Sequence, residues 1–420
     1  MSLAQELQAR GFINQTTAAN LSELLDGSPR VVYHGVDPSA DSIHAGNFAV
    51  FMLLAHLAQH GHQVILLIGG GTGMIGDPKP DVERPLTPPE EVAARAKKLR
   101  TQAEQLLATR NITIVNNYDW LGDLKLIEFL RDIGKHFTVN ELIKKEAIAE
   151  RLRGEHGISY TEFAYPLLQG YDYLQLHQEH GCELQVGGSD QWGNILAGVE
   201  LVRRKAGASV HALTIPLIVD KATGKKFGKS EGNAVWLDPE KTSPFQFYQF
   251  WLQVSDESVI EYLKLFTFLS LKEISSLAES HLKQPEERTA QRTLAQAVTA
   301  IVHGTEAANA AVAVSEILFG TGDVRELPSP ELQMLIENAP THRVAPETLV
   351  RDVLVSSNLA RSNREARTFL TDGAVSLNGE RVNDLEATVS DLDMQAGWAV
   401  LKRGKKQLVI LLPAASQIQR

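Results

Sequence analysis

Short apolar runs alternate with longer amphipathic stretches through the first two thirds of the chain. Val31-Val-Tyr-His-Gly-Val36 reads as a strand, and Val64-Ile-Leu-Leu-Ile68 is apolar throughout, as strands buried in a parallel sheet are. Ile112 to Val115 and Thr214 to Val219 have the same character. A helical pattern runs from about Gly46 to His60, with Gly61 where a helix stop is expected. Strands alternating with helices predict an α/β fold around a parallel sheet.

After Pro244 the strands stop. Phe245 to Phe268 and Leu271 to Phe319 read as helices, and Gly320-Thr-Gly followed by Pro328, Pro330, Pro340 and Pro346 reads as a linker. Ser362-Asn-Arg-Glu365 has the form of a capping box opening a helix to about Leu370, which Asp372-Gly373 ends. Asn378-Gly379 between alternating apolar residues predicts a hairpin. A second, basic hairpin at Leu401-Lys-Arg-Gly-Lys-Lys406 precedes an apolar strand from Leu408 to Leu412. The chain thus divides into an α/β region at 1–240, a helical region at 241–320, a linker at 321–347 and a small α+β module at 348–420.

Composition narrows the picture. Of 420 residues, 43% are hydrophobic and 22% charged, enough for a large core, which excludes disorder over most of the length. A single cysteine, Cys182, excludes an intramolecular disulfide framework and any multi-cysteine metal site. No apolar run approaches the roughly 20 residues of a membrane span, and Met1-Ser-Leu-Ala-Gln-Glu has neither a basic leader nor an apolar core. The expected setting is a reducing cytoplasm without membrane attachment. A net charge of -10 argues against non-specific nucleic-acid binding by the whole surface. The charge is uneven: from Arg351 onward 10 basic residues face 8 acidic ones, against 31 and 43 in the remainder. A local polyanion site and ordinary scatter both fit that asymmetry.

Three stretches carry possible chemistry. Gly71-Thr-Gly73-Met-Ile-Gly76 matches a dinucleotide fingerprint, but Pro78, Pro80, Pro85, Pro88 and Pro89 break the helix that must follow. A tight turn bringing backbone close to a ligand remains. Gly224-Lys-Lys-Phe-Gly228-Lys229-Ser230 is one residue too short for a P-loop and lacks its helix, which leaves a glycine-bracketed lysine loop, either mobile and functional or merely solvated. Asp41-Ser-Ile-His44-Ala-Gly46-Asn47 puts His44 and Asn47 on one face at a helix start, where anions are favoured. His44 read alone is equally a capping residue. His177, His180 and Cys182, like His56 and His60, fit helix ends and helix faces better than a metal site.

Together these stretches resemble a known pattern. His44-Ala-Gly-Asn47 is similar to the HIGH motif of class I aminoacyl-tRNA synthetases, and Lys226-Phe-Gly-Lys-Ser230 to their KMSKS loop. Tyr33-His-Gly-Val-Asp-Pro-Ser, Gly76-Asp-Pro78, Leu168-Gln-Gly-Tyr-Asp172 and Gln185-Val-Gly-Gly-Ser-Asp-Gln-Trp-Gly-Asn-Ile195 resemble the bacterial tyrosyl-tRNA synthetase family. The resemblance spans the chain, including a C-terminal RNA-binding module. Two departures from the motifs stand out: Asn47 stands for a histidine, and KMSKS reads KFGKS. His34 is also less typical.

The resemblance implies a doubly wound, Rossmann-like catalytic domain, ATP as a substrate with magnesium, L-tyrosine and tRNA as partners, and a homodimer. It implies catalytic roles for His44, Asn47, Lys226, Lys229 and Ser230. It implies tyrosine contacts at Tyr33, Asp77, Tyr165, Gln169, Asp172 and Gln191, with Tyr33 and Asp172 meeting the phenol. Nucleotide contacts are implied at Gly35, Asp37, Ser39, His44, Gly46, Asn47, Gly187, Asp190, Lys226 and Lys229, with Lys79 and Arg84 near pyrophosphate. For tRNA, Arg361, Arg364 and Arg367 are expected along one side of a helix, and Lys402, Arg403, Lys405 and Lys406 on a hairpin tip, with Arg203-Arg-Lys205 near the acceptor stem. No resident metal is expected. A tryptophanyl-tRNA synthetase and a non-catalytic RNA-binding protein are the alternatives.

Overall fold

The computed structural model describes residues 1–79, 82–107, 112–154, 157–219, 221, 224, 227, 229–230, 233–319, 329–390, 393–394, 397–404 and 407–414. They form two compact units. One comprises Met1–Thr242 with Val254–Leu294, the other Ser243–Gln253 with Ala295–Arg420.

The first unit is built on β1 (Gln15–Thr16), β2 (Val31–Val36), β3 (Gln63–Ile68), β4 (Ile112–Asn116), β5 (Cys182–Gly188) and β6 (His211–Ile215). Their order across the sheet is β1-β6-β5-β2-β3-β4, parallel except for β1. The chain winds outward from β2 in one direction, then returns to its other side, so the order reverses between β2 and β5. β3 is buried from Val64 to Ile68, which is why its sequence is apolar on both faces. The strand expected from Thr214 to Val219 lies earlier, at β6.

Helix Ala45–Gln59 is buried nearly all round, and Gly61 follows it at φ +91°, a backbone state that costs glycine nothing. Helix Tyr160–His180 starts at Ser159, whose side chain accepts from the Glu162 N–H, and stops at Gly181 with φ +66°. Among the described residues no dinucleotide-type helix follows Gly76: Thr72–Met74 is a single 3-10 turn, and the next helix, Pro89–Leu106, opens with proline in its first turn. The long helices expected after Pro244 are interrupted. They are Pro244–Leu252, Val259–Phe266, Leu271–Lys283, Thr289–His303 and Thr305–Phe319, with Gly304 at φ +90° between the last two. The lysine loop, read as irregular, contains a small antiparallel hairpin of β7 (Lys229–Ser230) and β8 (Asn233–Ala234).

The second unit joins helices to a sheet of β9 (Thr341–Val344), β11 (Val375–Leu377), β12 (Glu380–Arg381), β14 (Ala399–Arg403) and β15 (Gln407–Pro413), with β10 (Thr348–Leu349) and β13 (Thr388–Val389) paired apart from it. Asn378 and Gly379 both have positive φ, 50° and 84°, as the turn between β11 and β12 requires. Ser362 caps helix Asn363–Thr371, but the expected capping box is incomplete. The Glu365 carboxylate accepts from the Arg361 N–H at 2.6 Å, one residue earlier than a box demands.

Candidate active site

The carboxyl ends of β2 and β5 open onto a cavity of about 580 Å³ in the first unit. This is the switch point of the sheet, where open α/β folds leave a crevice. Tyr165, Gln169 and Asp172 stand at i, i+4 and i+7 on helix Tyr160–His180, so one helical stripe delivers all three beside Tyr33 of β2.

Asp172 is 2% exposed. Its carboxylate accepts from Asn117 Nδ2 at 2.9 Å and from Trp120 Nε1 at 2.8 Å. Burial pushes its carboxyl up to about 7 against those two hydrogen bonds, and the Asp37 charge adds to the rise. Asp37 is raised to about 6, again by burial, while Thr72 Oγ1 and the Tyr165 hydroxyl donate to it at 2.7 and 2.8 Å. Asp37, expected at the nucleotide, lines the cavity with its hydrogen bonds running to Tyr165 and Thr72. Asp77 accepts from Gln191 Nε2 at 2.9 Å and Asn194 Nδ2 at 3.0 Å, and burial raises its carboxyl too. Behind Asn194, Lys145 Nζ donates to its Oδ1 at 3.2 Å and to the Gly193 carbonyl at 2.6 Å. Burial lowers that amine to about 8, opposed by the Asp77 charge.

Against these satisfied groups stand three that are not. The Tyr33 hydroxyl, Gln169 Oε1 and Gln185 Oε1 are buried and without a hydrogen-bond partner among the described residues, and all three residues line the cavity. Buried polar atoms are normally paired, so orphans around one cavity mark a place for a polar ligand.

The helix start lies on the same cavity. His44 is the N-cap, its Nδ1 accepting from the Gly46 N–H at 3.1 Å and its ring edge-on to Trp236. A Cβ at Gly46 would sit 2.6 Å from the Phe227 carbonyl oxygen, so only glycine lets the lysine loop's backbone come this close. The Phe227 ring is anchored against Tyr262 and Phe266, at 4.6 and 5.7 Å between centroids. His44, Gly46, Asn47 and Phe227 all line the cavity, as do Gly35, Ser39, Asp190, Lys79 and Arg84. Gly187 does not; it is buried in β5 against Ile195 and Gln191, and Gly188 takes the lining position. Lys226 lies outside the described residues, and for Lys229 and Ser230 only the backbone hairpin is described.

His34 Nδ1 is 3.0 Å from the Val186 carbonyl, and burial lowers its pKa, so the imidazole meets the cavity neutral. Cys182 is buried, its thiol pushed up to about 12. The His177 ring hydrogen-bonds to the Cys182 carbonyl, and the His60 ring to that of His56. Among the described residues no three His, Cys, Asp or Glu side chains gather as metal ligands would.

The basic positions are more scattered than the spacing suggested. Arg203 and Arg204 both pair with Glu200. Arg361 precedes helix Asn363–Thr371 instead of sharing its face, because Ser362 is already the cap. Arg364 and Arg367 line a surface cavity of about 530 Å³ with Thr368 and Thr371. Lys402 and Arg403 belong to β14, not to the hairpin tip, and as neighbours on a strand they point to opposite faces. The Arg403 guanidinium lies 4.6 Å over the Phe369 ring. Lys405 and Lys406 lie outside the described residues.

Asn117, Trp120, Thr72 and Asn194 went unnoticed in the sequence. Thr72 and Asn194 lie inside stretches already singled out but drew no role there, Asn117 and Trp120 sit in no motif, and only the sheet brings Asn117, just past β4, to within a hydrogen bond of Asp172.

A doubly wound sheet, with a capped helix start and a lysine loop meeting over its switch point, defines a class I aminoacyl-tRNA synthetase, and residues 26–320 match the family of class I tRNA synthetases (W and Y). Residues 331–411 match the tyrosine–tRNA ligase SYY-like C-terminal domain. The chain is 48% identical to the tyrosine–tRNA ligase of Lactococcus lactis subsp. cremoris (strain SK11) over 421 residues, covering 98% of this chain and 100% of that protein. It is 46% identical to tyrosine–tRNA ligase 1 of Bacillus cereus (strain ATCC 10987 / NRS 248), with the same coverage. Among solved structures, a C-terminally truncated mitochondrial tyrosyl-tRNA synthetase of Aspergillus nidulans superposes with a TM-score of 0.66 at 31% identity, over 74% of this chain and 92% of that one. A tryptophanyl-tRNA synthetase of Encephalitozoon cuniculi shares the fold, with a TM-score of 0.55 at 14% identity. The chain belongs to the tyrosine–tRNA ligase family, whose reaction joins tyrosine to tRNA with ATP as a substrate.

Proposed function

We propose that the cavity holds L-tyrosine and ATP side by side and forms tyrosyl-adenylate before transfer to the tRNA 3′ end. The observation that carries this reading is a single cavity with orphaned polar atoms near Asp172 and the Gly46–Phe227 approach on its wall. The Tyr33 hydroxyl and Asp172 meet the phenol. Tyr165, Gln169, Asp77 and Gln191 surround the substrate's ammonium, whose positive charge offsets the burial that raises the Asp37 and Asp77 carboxyls. A substrate lacking the phenol hydroxyl leaves the buried Tyr33 hydroxyl unpaired, which is costly.

The substrate carboxylate is already ionised, so its attack on the α-phosphorus needs no general base. Rate then comes from holding the reactants in line and from donors facing the charge that develops on the phosphates. His44 and Asn47 supply such donors at the helix start, and Lys226, Lys229 and Ser230 supply them from the loop. Gly35, Ser39, Gly46, Gly188 and Asp190 flank the nucleoside. Lys79 and Arg84 face the departing pyrophosphate. Magnesium enters as part of the ATP substrate; the described residues do not fit a resident metal.

Arg364 and Arg367, which line one surface cavity, contact tRNA phosphates. Leu126 and Ile127 are 68% and 74% exposed, with Leu130, Val139 and Ile143 exposed nearby in sequence, and this apolar excess supports a homodimer. No helix among the described residues is long and apolar enough to cross a membrane, and the reading assigns the enzyme to the cytoplasm, where tRNA and ATP are found.

The test is ATP–pyrophosphate exchange. Tyrosine is expected to drive it and tryptophan not to; better exchange with tryptophan overturns the tyrosine assignment.

A further inference from the structure

The segment after Gly76 contains Pro78, Pro80 and Pro85, which lack the N–H groups to build secondary structure of their own. Beyond Asp77, its described residues Lys79, Val82 and Arg84 bond through their backbone to a buried ion pair. The Arg151 and Glu162 side chains are 3% and 2% exposed, with Nη1 and Oε2 3.0 Å apart. Glu162 Oε1 accepts the backbone N–H of Arg84 at 2.9 Å. Arg151 Nη1 donates to the carbonyls of Lys79 and Val82 at 3.2 and 2.8 Å, and its Nε donates to the Gly157 carbonyl at 2.8 Å. The pair therefore grips the segment at Lys79, Val82 and Arg84. Lys79 and Arg84 line the cavity, while neither Arg151 nor Glu162 does. The Arg84 side chain is then laid over Gly76, its Nε donating to the Asp77 carbonyl at 2.8 Å.

We propose that Arg151 and Glu162 are positioning residues, a buried clasp that sets the Lys79 and Arg84 side chains against the β- and γ-phosphates of ATP and against pyrophosphate in the reverse step. The inference rests on the adenylate-forming reading above. Two charges withdrawn from water need further hydrogen bonds beside their mutual attraction; here three such bonds run to the backbone at Lys79, Val82 and Arg84, while Arg151 Nη2 and Glu162 Oε2 have no hydrogen-bond partner among the described residues. Neither residue contacts a reacting atom, so the effect falls on phosphate groups and spares the amino acid.

The decisive variant is Arg151→Met combined with Glu162→Gln, which removes both charges together and leaves no uncompensated ion. In exchange assays its KM for pyrophosphate should rise about ten-fold through lost positioning, while tyrosine affinity, read by equilibrium dialysis, changes less than about two-fold. Arg151→Lys keeps the charge but loses the guanidinium's reach, and should move the same KM in the same direction by less; it serves if the double variant does not fold. Lys79→Ala with Arg84→Ala should raise the pyrophosphate KM in the native background and add little in the clasp variant. A folded clasp variant with unchanged pyrophosphate KM, or one whose tyrosine affinity falls equally, overturns the clasp while the adenylate reading stands. If Lys79→Ala with Arg84→Ala leaves exchange untouched, the pyrophosphate role of the segment fails, and the clasp with it.

Discussion

Asp172→Asn separates the cost of the tyrosine site from its use. The native carboxyl is raised from 3.8 to about 7 because it is buried. Its folded pKa lies above the unfolded one, so the folded state binds more protons across that interval. Stability is therefore greatest below the unfolded pKa and is lost as pH rises toward 7. Linkage puts the destabilisation caused by the raised Asp172 pKa at about 4 kcal/mol at pH 8 and about 1.5 kcal/mol at pH 5. The asparagine side chain has no such pH dependence. It has its own defect, since its NH₂ must face either Asn117 Nδ2 or Trp120 Nε1, both donors; that mismatch costs about 1–3 kcal/mol at any pH. The mismatch cancels when the two pH values are compared. The variant's stability relative to native should thus improve by about 2.5 kcal/mol between pH 5 and pH 8, read from denaturant melts at both. Exchange driven by tyrosine should collapse in the same variant, and its preference for tyrosine over phenylalanine with it. A stability difference independent of pH would refute the buried, raised carboxyl.

Other perturbations probe the remaining parts. Tyr33→Phe removes a buried hydroxyl that lacks a partner, so melting should show native or higher stability while tyrosine affinity drops by about 0.5–1.5 kcal/mol. Gly46→Ala places a Cβ 2.6 Å from the Phe227 carbonyl, so the loop must shift; KM for ATP should rise while tyrosine affinity is kept, and an unchanged KM would refute the contact. Arg364→Ala should weaken tRNA binding and lower the salt dependence by roughly one counterion, with pyrophosphate exchange unaffected; equal loss of both would refute a separate RNA surface.

Much of this was written locally along the chain. Val64 to Ile68 announces a strand buried on both faces, the Asn378-Gly379 pair announces a hairpin, and Tyr165, Gln169 and Asp172 lie at helical spacing, because period and turn chemistry are set by neighbours a few residues apart. The stretches around His44 and Lys226 stood out for the same reason. The interruptions after Pro244 were less legible, since helices packed end to end share one apolar composition and only backbone angles such as that of Gly304 divide them.

What the sequence determined by itself was the kind of elements and the residue types bearing chemistry, through short-range sterics and hydrophobic period. What the tertiary structure alone decided was which of them meet. The 55 residues between Asn117 and Asp172, or the 181 between Gly46 and Phe227, carry no local signal of contact. Those approaches arise because the sheet reverses order at β2 and β5, and that reversal is fixed by how whole layers bury their apolar faces, not by any run of neighbouring residues.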